Sequence, residues 1–392
     1  MIDRTPRPDT MTHLDLPGIG RYELREPVAL AAPSGPATSR VAFAAAHVVA
    51  DPLGGNAPGA PAAVDWEGTL KFRHRLWELG LGVADAMDTA QRGMGLDWAA
   101  TQQLIARSGA EAKAVGGRLA CGAGTDQLAS LDVSLAEVSA AYEEQLAVVE
   151  AAGAQPILMA SRALAASARG PEDYLSVYGK LVEQAERPVI LHWLGEMFDP
   201  ALAGYWGSAD LDEAARTVLE LIRSHPGRID GIKVSLLDAG REIALRRELP
   251  SGVRMYTGDD FNYPELVRGD EVGHSDALLG VFDPIAEVAA AALQALDAGD
   301  VARYDALFGP TVPLARHLFA APTFHYKTGI VFLAWLCGHQ DHFTMVAGAQ
   351  SGRSVSHLVE LFRLADVAGV LGDPELAAGR MREFLALAGV RA

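Results

Sequence analysis

The sequence predicts a closed (β/α)8 barrel with an N-terminal arm and a helical C-terminal subdomain. Three observations lead there. Eight short apolar runs alternate with amphipathic helical segments, no Gly-x-Gly-x-x-Gly turn favours a doubly wound sheet, and beyond Pro284 the periodicity becomes wholly helical. A chain of 392 residues is long enough for such a barrel and an appendage.

Residues 1–38 carry many prolines and little periodicity and are read as the arm, with a short strand pair around Gly20-Arg21-Tyr22-Glu23-Leu24 whose partner could lie on a neighbouring subunit. The barrel is assigned to 39–297. Its first strand is 40–47, followed by a Gly/Pro-rich loop over 51–61 and a helix capped by Asp65, with Leu70, Phe72, Leu76 and Trp77 facing inward. The next strands are expected at 80–85, 118–122, 155–160, 188–193, 228–235, 253–258 and 277–282. Between them the pattern predicts helices over 97–115, 134–152, 172–186 and 211–223, another from about 241, and a short one near Pro264. The C-terminal subdomain, 298–392, follows a last barrel helix near 285–297 and is read as helices over 300–319, 327–338, 354–368 and 374–388.

Composition narrows the function. With 33 Lys and Arg against 50 Asp and Glu, the net charge of -17 repels nucleic acid and anionic membrane surfaces. No apolar run is long and uncharged enough to span a bilayer, and the N-terminus lacks the pattern of a signal peptide. Cys121 and Cys337 offer neither a disulfide framework nor a cysteine-rich metal site, so the expectation is a cytoplasmic protein with both thiols buried.

One residue breaks an apolar run in an informative way. Lys233 ends Arg228-Ile229-Asp230-Gly231-Ile232-Lys233, where lost hydration lowers an ammonium's pKa and makes the nucleophilic amine available. The plainer reading is a snorkelling lysine or one paired with Asp230 or Asp238. Acidic and imidazole residues also fall at predicted C-terminal strand ends: His47, Asp85, Asp88, His192, Glu196, Asp259, Asp260, and His274 or Asp283. Barrel chemistry is built at that face, and such a ring could hold a divalent metal, although no compact ligand motif is present. His325, His339, His342 and His357 in the helical tail read as core or interface residues, and Cys121-Gly122-Ala123-Gly124-Thr125 as a tight strand exit without a P-loop lysine.

The element order and three strand-end motifs resemble the dihydrodipicolinate synthase and N-acetylneuraminate lyase family of class I aldolases, a TIM-barrel family. Asp230-Gly231-Ile232-Lys233 matches its strand-six Gly-Ile-Lys, and Tyr256-Thr257-Gly258-Asp259-Asp260 is similar to its strand-seven Ser/Thr-Gly-Asp-Asp. Pro188-Val189-Ile190-Leu191-His192 resembles its strand-five Pro-Ile-Ile-Leu-Tyr. The resemblance implies that Lys233 forms the Schiff base, that His192 takes the place of the relaying tyrosine, unless Tyr256 supplies the phenol instead, and that Thr89, Asp88, Gly258, Asp259 and Asp260 bind substrate. It also implies no cofactor beyond the lysine imine, and homodimers or homotetramers.

The departures suggest a divergent branch. Where the family cradles a substrate carboxylate with Gly-Thr-Thr-Gly-Glu, this chain has Met87-Asp88-Thr89-Ala90-Gln91, and Gly195-Glu196-Met197-Phe198 replaces its arginine. Three functions are therefore carried forward. The first is a Schiff-base aldolase or lyase, cleaving carbon–carbon or carbon–oxygen bonds of a small keto or sugar-derived carbonyl compound. The second is a metal-dependent sugar isomerase or epimerase, and the third a non-catalytic barrel that binds a small ligand.

Overall fold

A computed structural model describes residues 12–30, 33 and 35–390. Eight strands close into a parallel barrel: β3 (Ala42–Ala45), β4 (Gly82–Asp85), β5 (Leu119–Ala123), β6 (Gln155–Leu158), β7 (Val189–Leu194), β8 (Ile229–Ser235), β9 (Arg254–Thr257) and β10 (Asp276–Leu279). Closure comes from β10 against β3, with Leu278 opposite Phe43. β3, β4 and β5 are buried along their whole length because helices cover the outside and side chains fill the inside. Phe43, Ala84, Ala120, Ile157, Ile190, Tyr256 and Leu278 form the inner packing, while Leu191, Ile232 and Val234 join the outer core against the helices. The period of two therefore turns Ile190 and His192, and likewise Gly231, Lys233 and Ser235, toward the barrel axis.

The surrounding helices are α1 (Trp66–Glu78), α2 (Trp98–Val115), α3 (Leu135–Ala151), α4 (Arg162–Ser167), α5 (Pro171–Gln184), α6 (Leu211–Ser224), α7 (Ala239–Glu248), α8 (Tyr263–Arg268) and α9 (Ala286–Asp297). Their starts are chemically marked. Asp65, Asp97, Ser134, Asp210 and Asp238 each accept a first-turn N–H, and Ser134 with Glu137 makes a full capping box. Helix α4 falls inside a stretch that shows no helical pattern in the sequence, because six residues are too few for a periodic signal; Ser161 caps it by accepting the Leu164 N–H at 2.9 Å.

The C-terminal region holds α10 (Val301–Phe308), α11 (Thr311–Leu318), α12 (Tyr326–Leu336), α13 (Val355–Val367) and α14 (Pro374–Leu387). The single helix expected over 300–319 is two, broken at Gly309-Pro310. Pro310 has no N–H for an interior helical bond, and the Thr311 hydroxyl donates to the Phe308 carbonyl at 2.7 Å. All 11 residues of α12 are buried, so this helix is core rather than an amphipathic cover.

The strand pair of the arm forms within the chain: β1 (His13–Leu16) runs antiparallel to β2 (Gly20–Glu23). It rests on the C-terminal helices, where Asp366 accepts the Tyr22 hydroxyl at 2.6 Å and the Arg25 N–H at 3.1 Å. Residues 1–11 of the expected arm lie outside the described residues. No helix among the described residues is long and apolar enough to cross a membrane.

Candidate active site at the barrel mouth

Lys233 reaches the mouth because two neighbouring strands make room for it. On β8 it lies opposite His192 of β7 and Tyr256 of β9, and Gly258 just past β9 leaves space for its stem. A Cβ at Gly258 would stand 2.7 Å from Lys233 Cε and would also meet the Ser235 hydroxyl. The lysine is 8 % exposed, and its amine has no hydrogen-bond or ion-pair partner among the described residues. Burial lowers its pKa, opposed by the charges of Asp260 and Asp88.

The amine faces a small cavity, with about 20 Å³ of space for the centre of a water molecule, roughly one water. Its polar walls are Asp88, Thr89, Ser235, Asp260 and Tyr326; Ala45, Met87, Leu194, Phe198 and Gly280 complete it. Asp260 accepts the Val281 N–H at 2.8 Å, yet burial pushes its carboxyl up to about 7 against that bond and the pull of Lys233. Thr89 and Tyr326 share a hydroxyl–hydroxyl bond of 2.9 Å. Above the cavity Tyr326 stacks on Phe319 with ring centres 4.4 Å apart, and Phe198 meets both rings edge-on. This aromatic roof is drawn mainly from the C-terminal region.

His192 stands one hydrogen bond behind the wall, its Nε2 3.2 Å from the Ser235 hydroxyl. Its Nδ1 is buried without a partner. Burial, reinforced by the charge of Lys233, holds the imidazole well below its ordinary pKa, so it is neutral at pH 7.

The structure thus brings Lys233, Asp88, Thr89 and Asp260 around one cavity, with Gly258 acting through its missing side chain and His192 through Ser235. Two expected members are elsewhere. Asp259 folds back on its own loop, accepting the N–H groups of Phe261 and Asn262 at 2.9 and 3.0 Å and the Asn262 amide at 2.8 Å. Tyr256 lies along the barrel interior toward the opposite end, where its hydroxyl donates to Asp230 at 2.7 Å. A proton relay from this phenol to the Lys233 amine has no geometry to run through.

Of the remaining strand-end residues, Glu196 and His274 are exposed, while His47 and Asp85 are tied into packing. His47 is 2.8 Å from Asp283 and 3.1 Å from Gln340, and Asp85 pairs with the buried Arg73 at 2.8 Å. Among the described residues no three His, Cys, Asp or Glu side chains converge as a metal-ligand set. In the helical tail His317 and His357 stack at 4.0 Å, and His339 sits 3.8 Å from Glu287.

Beside the amine cavity, and sharing Asp88 and Leu194 with it, opens a cleft of about 190 Å³. Gly124, Thr125, Asp126, Ser161, Arg162 and Asp199 line it. The glycine-rich strand exit is held by Gln145, which accepts the Gly124 N–H at 2.6 Å and leaves Thr125 facing the cleft. Sequence reading missed Ser235, Tyr326, Arg162 and the buried Lys327. Only Ser235 had a signal, two residues beyond Lys233 on the same face of the strand.

The family model described as "Protein of unknown function (DUF993)" matches residues 15–390. No curated protein matches the chain. Among solved structures, chloride-inhibited dihydrodipicolinate synthase from Acinetobacter baumannii, complexed with pyruvate, is 18% identical with a TM-score of 0.62, covering 85% of this chain and 100% of that one. The Aquifex aeolicus synthase is 13% identical at a TM-score of 0.59, covering 90% and 98%. The Bacillus anthracis enzyme is 16% identical at 0.60, covering 84% and 98%. At these identities the likeness is one of fold, and it agrees with the resemblance read from the strand-end motifs. The chain belongs to the DUF993 family, and its barrel has the fold of the dihydrodipicolinate synthase structures.

Proposed function

We propose that this protein is a Schiff-base-forming aldolase or lyase acting on a small carbonyl compound, with Lys233 as nucleophile. One observation carries the reading: a lysine more than nine-tenths buried, with no partner among the described residues, faces a cavity at the C-terminal end of a barrel strand. Burial lowers the lysine's pKa and so raises the share of neutral, nucleophilic amine.

The neutral amine attacks the carbonyl carbon, the oxygen leaves as water, and the iminium accepts the electrons released when the adjacent bond breaks. Asp260, with its pKa raised to about 7, is suited to take and return the proton that accompanies cleavage. The Ser235 hydroxyl backed by neutral His192, and the Thr89–Tyr326 pair, are further proton carriers on the same cavity. No cofactor is needed for these steps. With the fold go expectations of a small-molecule substrate, a homo-oligomer and a reducing cytoplasmic setting, the last consistent with two free thiols.

The test is reductive trapping. With a small ketone and borohydride, a mass increase on the peptide bearing Lys233 is expected, absent in Lys233→Arg. If the wild-type chain gains no adduct at Lys233 with any carbonyl compound tried, and Lys233→Ala turns over normally, the reading fails.

A further inference from the structure

Asp88 stands at the junction of the amine cavity and the cleft and lines both. Its carboxylate has no hydrogen-bond donor and no ion-pair partner among the described residues. An ionised carboxylate only accepts hydrogen bonds, so whatever enters must bring donors. Lys327 acts on Asp88 electrostatically, but its amine is held by the Phe324 carbonyl at 3.2 Å and Met94 Sδ at 3.5 Å and lines neither space.

Within the amine cavity the only cation among the lining residues is Lys233 itself, and the bonded Thr89 and Tyr326 hydroxyls keep a single hydrogen between them to donate. A carboxylate bonded directly to the reacting carbonyl carbon would therefore sit between Asp88 and Asp260 with no counter-charge except the iminium. Like charges at such a site are strongly disfavoured. In the cleft beyond, positive charge is matched: Arg162 pairs with Asp199, and Arg92 with Asp126. Thr125 and Ser161 add a hydroxyl pair at 2.6 Å. Alternating donors and acceptors without net positive charge suit a chain of hydroxyl groups rather than an anion.

We infer that the substrate is a hydroxylated aldehyde or ketone of the sugar type, not a 2-oxo acid. This rests on the imine reading above and names the compound that the imine forms with. A hydroxyl on the carbon next to the carbonyl donates to Asp88, and the remaining hydroxylated carbons extend into the cleft past Ser161 and Thr125.

The experiment compares dihydroxyacetone with pyruvate, each incubated with the full chain and cyanoborohydride, with the Lys233 peptide quantified by mass spectrometry. Attack by the amine expels the carbonyl oxygen as water, and hydride from the reductant fixes the imine as a secondary amine. Relative to a free lysine peptide, dihydroxyacetone should be favoured over pyruvate by about tenfold or more, and Asp88→Asn should erase most of that preference by slowing the first and speeding the second. A wild-type preference for pyruvate, or an unchanged ratio in a folded Asp88→Asn chain, overturns the substrate class and leaves the imine reading standing. Labelling of Lys233 by neither probe overturns both. If Asp88→Asn does not fold, the wild-type ratio decides alone.

Discussion

The two ends of the barrel treat their polar groups in opposite ways. At the floor, Asp276 accepts the Val41 N–H at 2.7 Å and Arg254 at 3.0 Å, Arg254 also reaches Asp230 at 3.8 Å, and Asp230 takes the Tyr256 hydroxyl. Each group has a partner, as a folded protein requires of polar atoms that carry no other duty. At the mouth the Lys233 amine, the Asp88 carboxylate and His192 Nδ1 have none among the described residues. Burial without satisfaction costs stability, and it is tolerated where reactive groups must stay available.

The largest expected effect is at Lys233. In Lys233→Met, reductive labelling should vanish while the chain becomes more stable by on the order of 1–2 kcal/mol, read as a higher Tm. A drop in Tm would mean that the unpartnered amine is no liability, and the contrast between the two ends would collapse. Next comes Asp260→Asn, which should still form the adduct but turn over about 10²–10⁴-fold more slowly, the usual contribution of a positioned acid/base. Cleavage needs the base form, so the wild-type rate should rise with pH through about 7 and the variant should lose that inflection. The same raised pKa has a stability consequence: Asp260's contribution is fully present below about 3.8 and is lost as pH rises through about 7, a slope that should be missing from the variant's melting profile.

At the floor the signs reverse. Asp276→Ala leaves the Val41 N–H unpaired and should destabilise the chain by about 1–3 kcal/mol in denaturant titration, with labelling of Lys233 unchanged. The smallest effect is expected for Tyr256→Phe, about 1 kcal/mol for the lost bond to Asp230 and labelling within about twofold of wild type. A large fall in labelling there would restore this phenol to the chemistry.

The barrel itself was legible because alternation of short apolar runs with helical periodicity survives in sequence, and Lys233 stood out as an amine in such a run. The strands that carry His192, Lys233 and Tyr256 were also legible, and the structure sets these three side by side in register on β7, β8 and β9. How far a long side chain leans along the strand was not. Tyr256 reaches the floor and Lys233 the mouth from opposite positions in the same register, a choice made by Gly258 and Asp230 rather than by either residue. Tyr326 and Arg162 were invisible for another reason. Their place at the mouth is set by long-range packing of α12 and by a six-residue helix, and neither leaves a local pattern.

The aromatic roof has a bearing on how the protein is made. Chains are synthesised from the N-terminus, so all eight strands leave the ribosome before Phe319 and Tyr326 exist. For that interval the strand that carries Lys233 has been made and the rings that cover its cavity have not. Only when the chain has passed residue 326 can the wall of that cavity be complete, so the pocket is finished later in synthesis than the barrel strands beneath it.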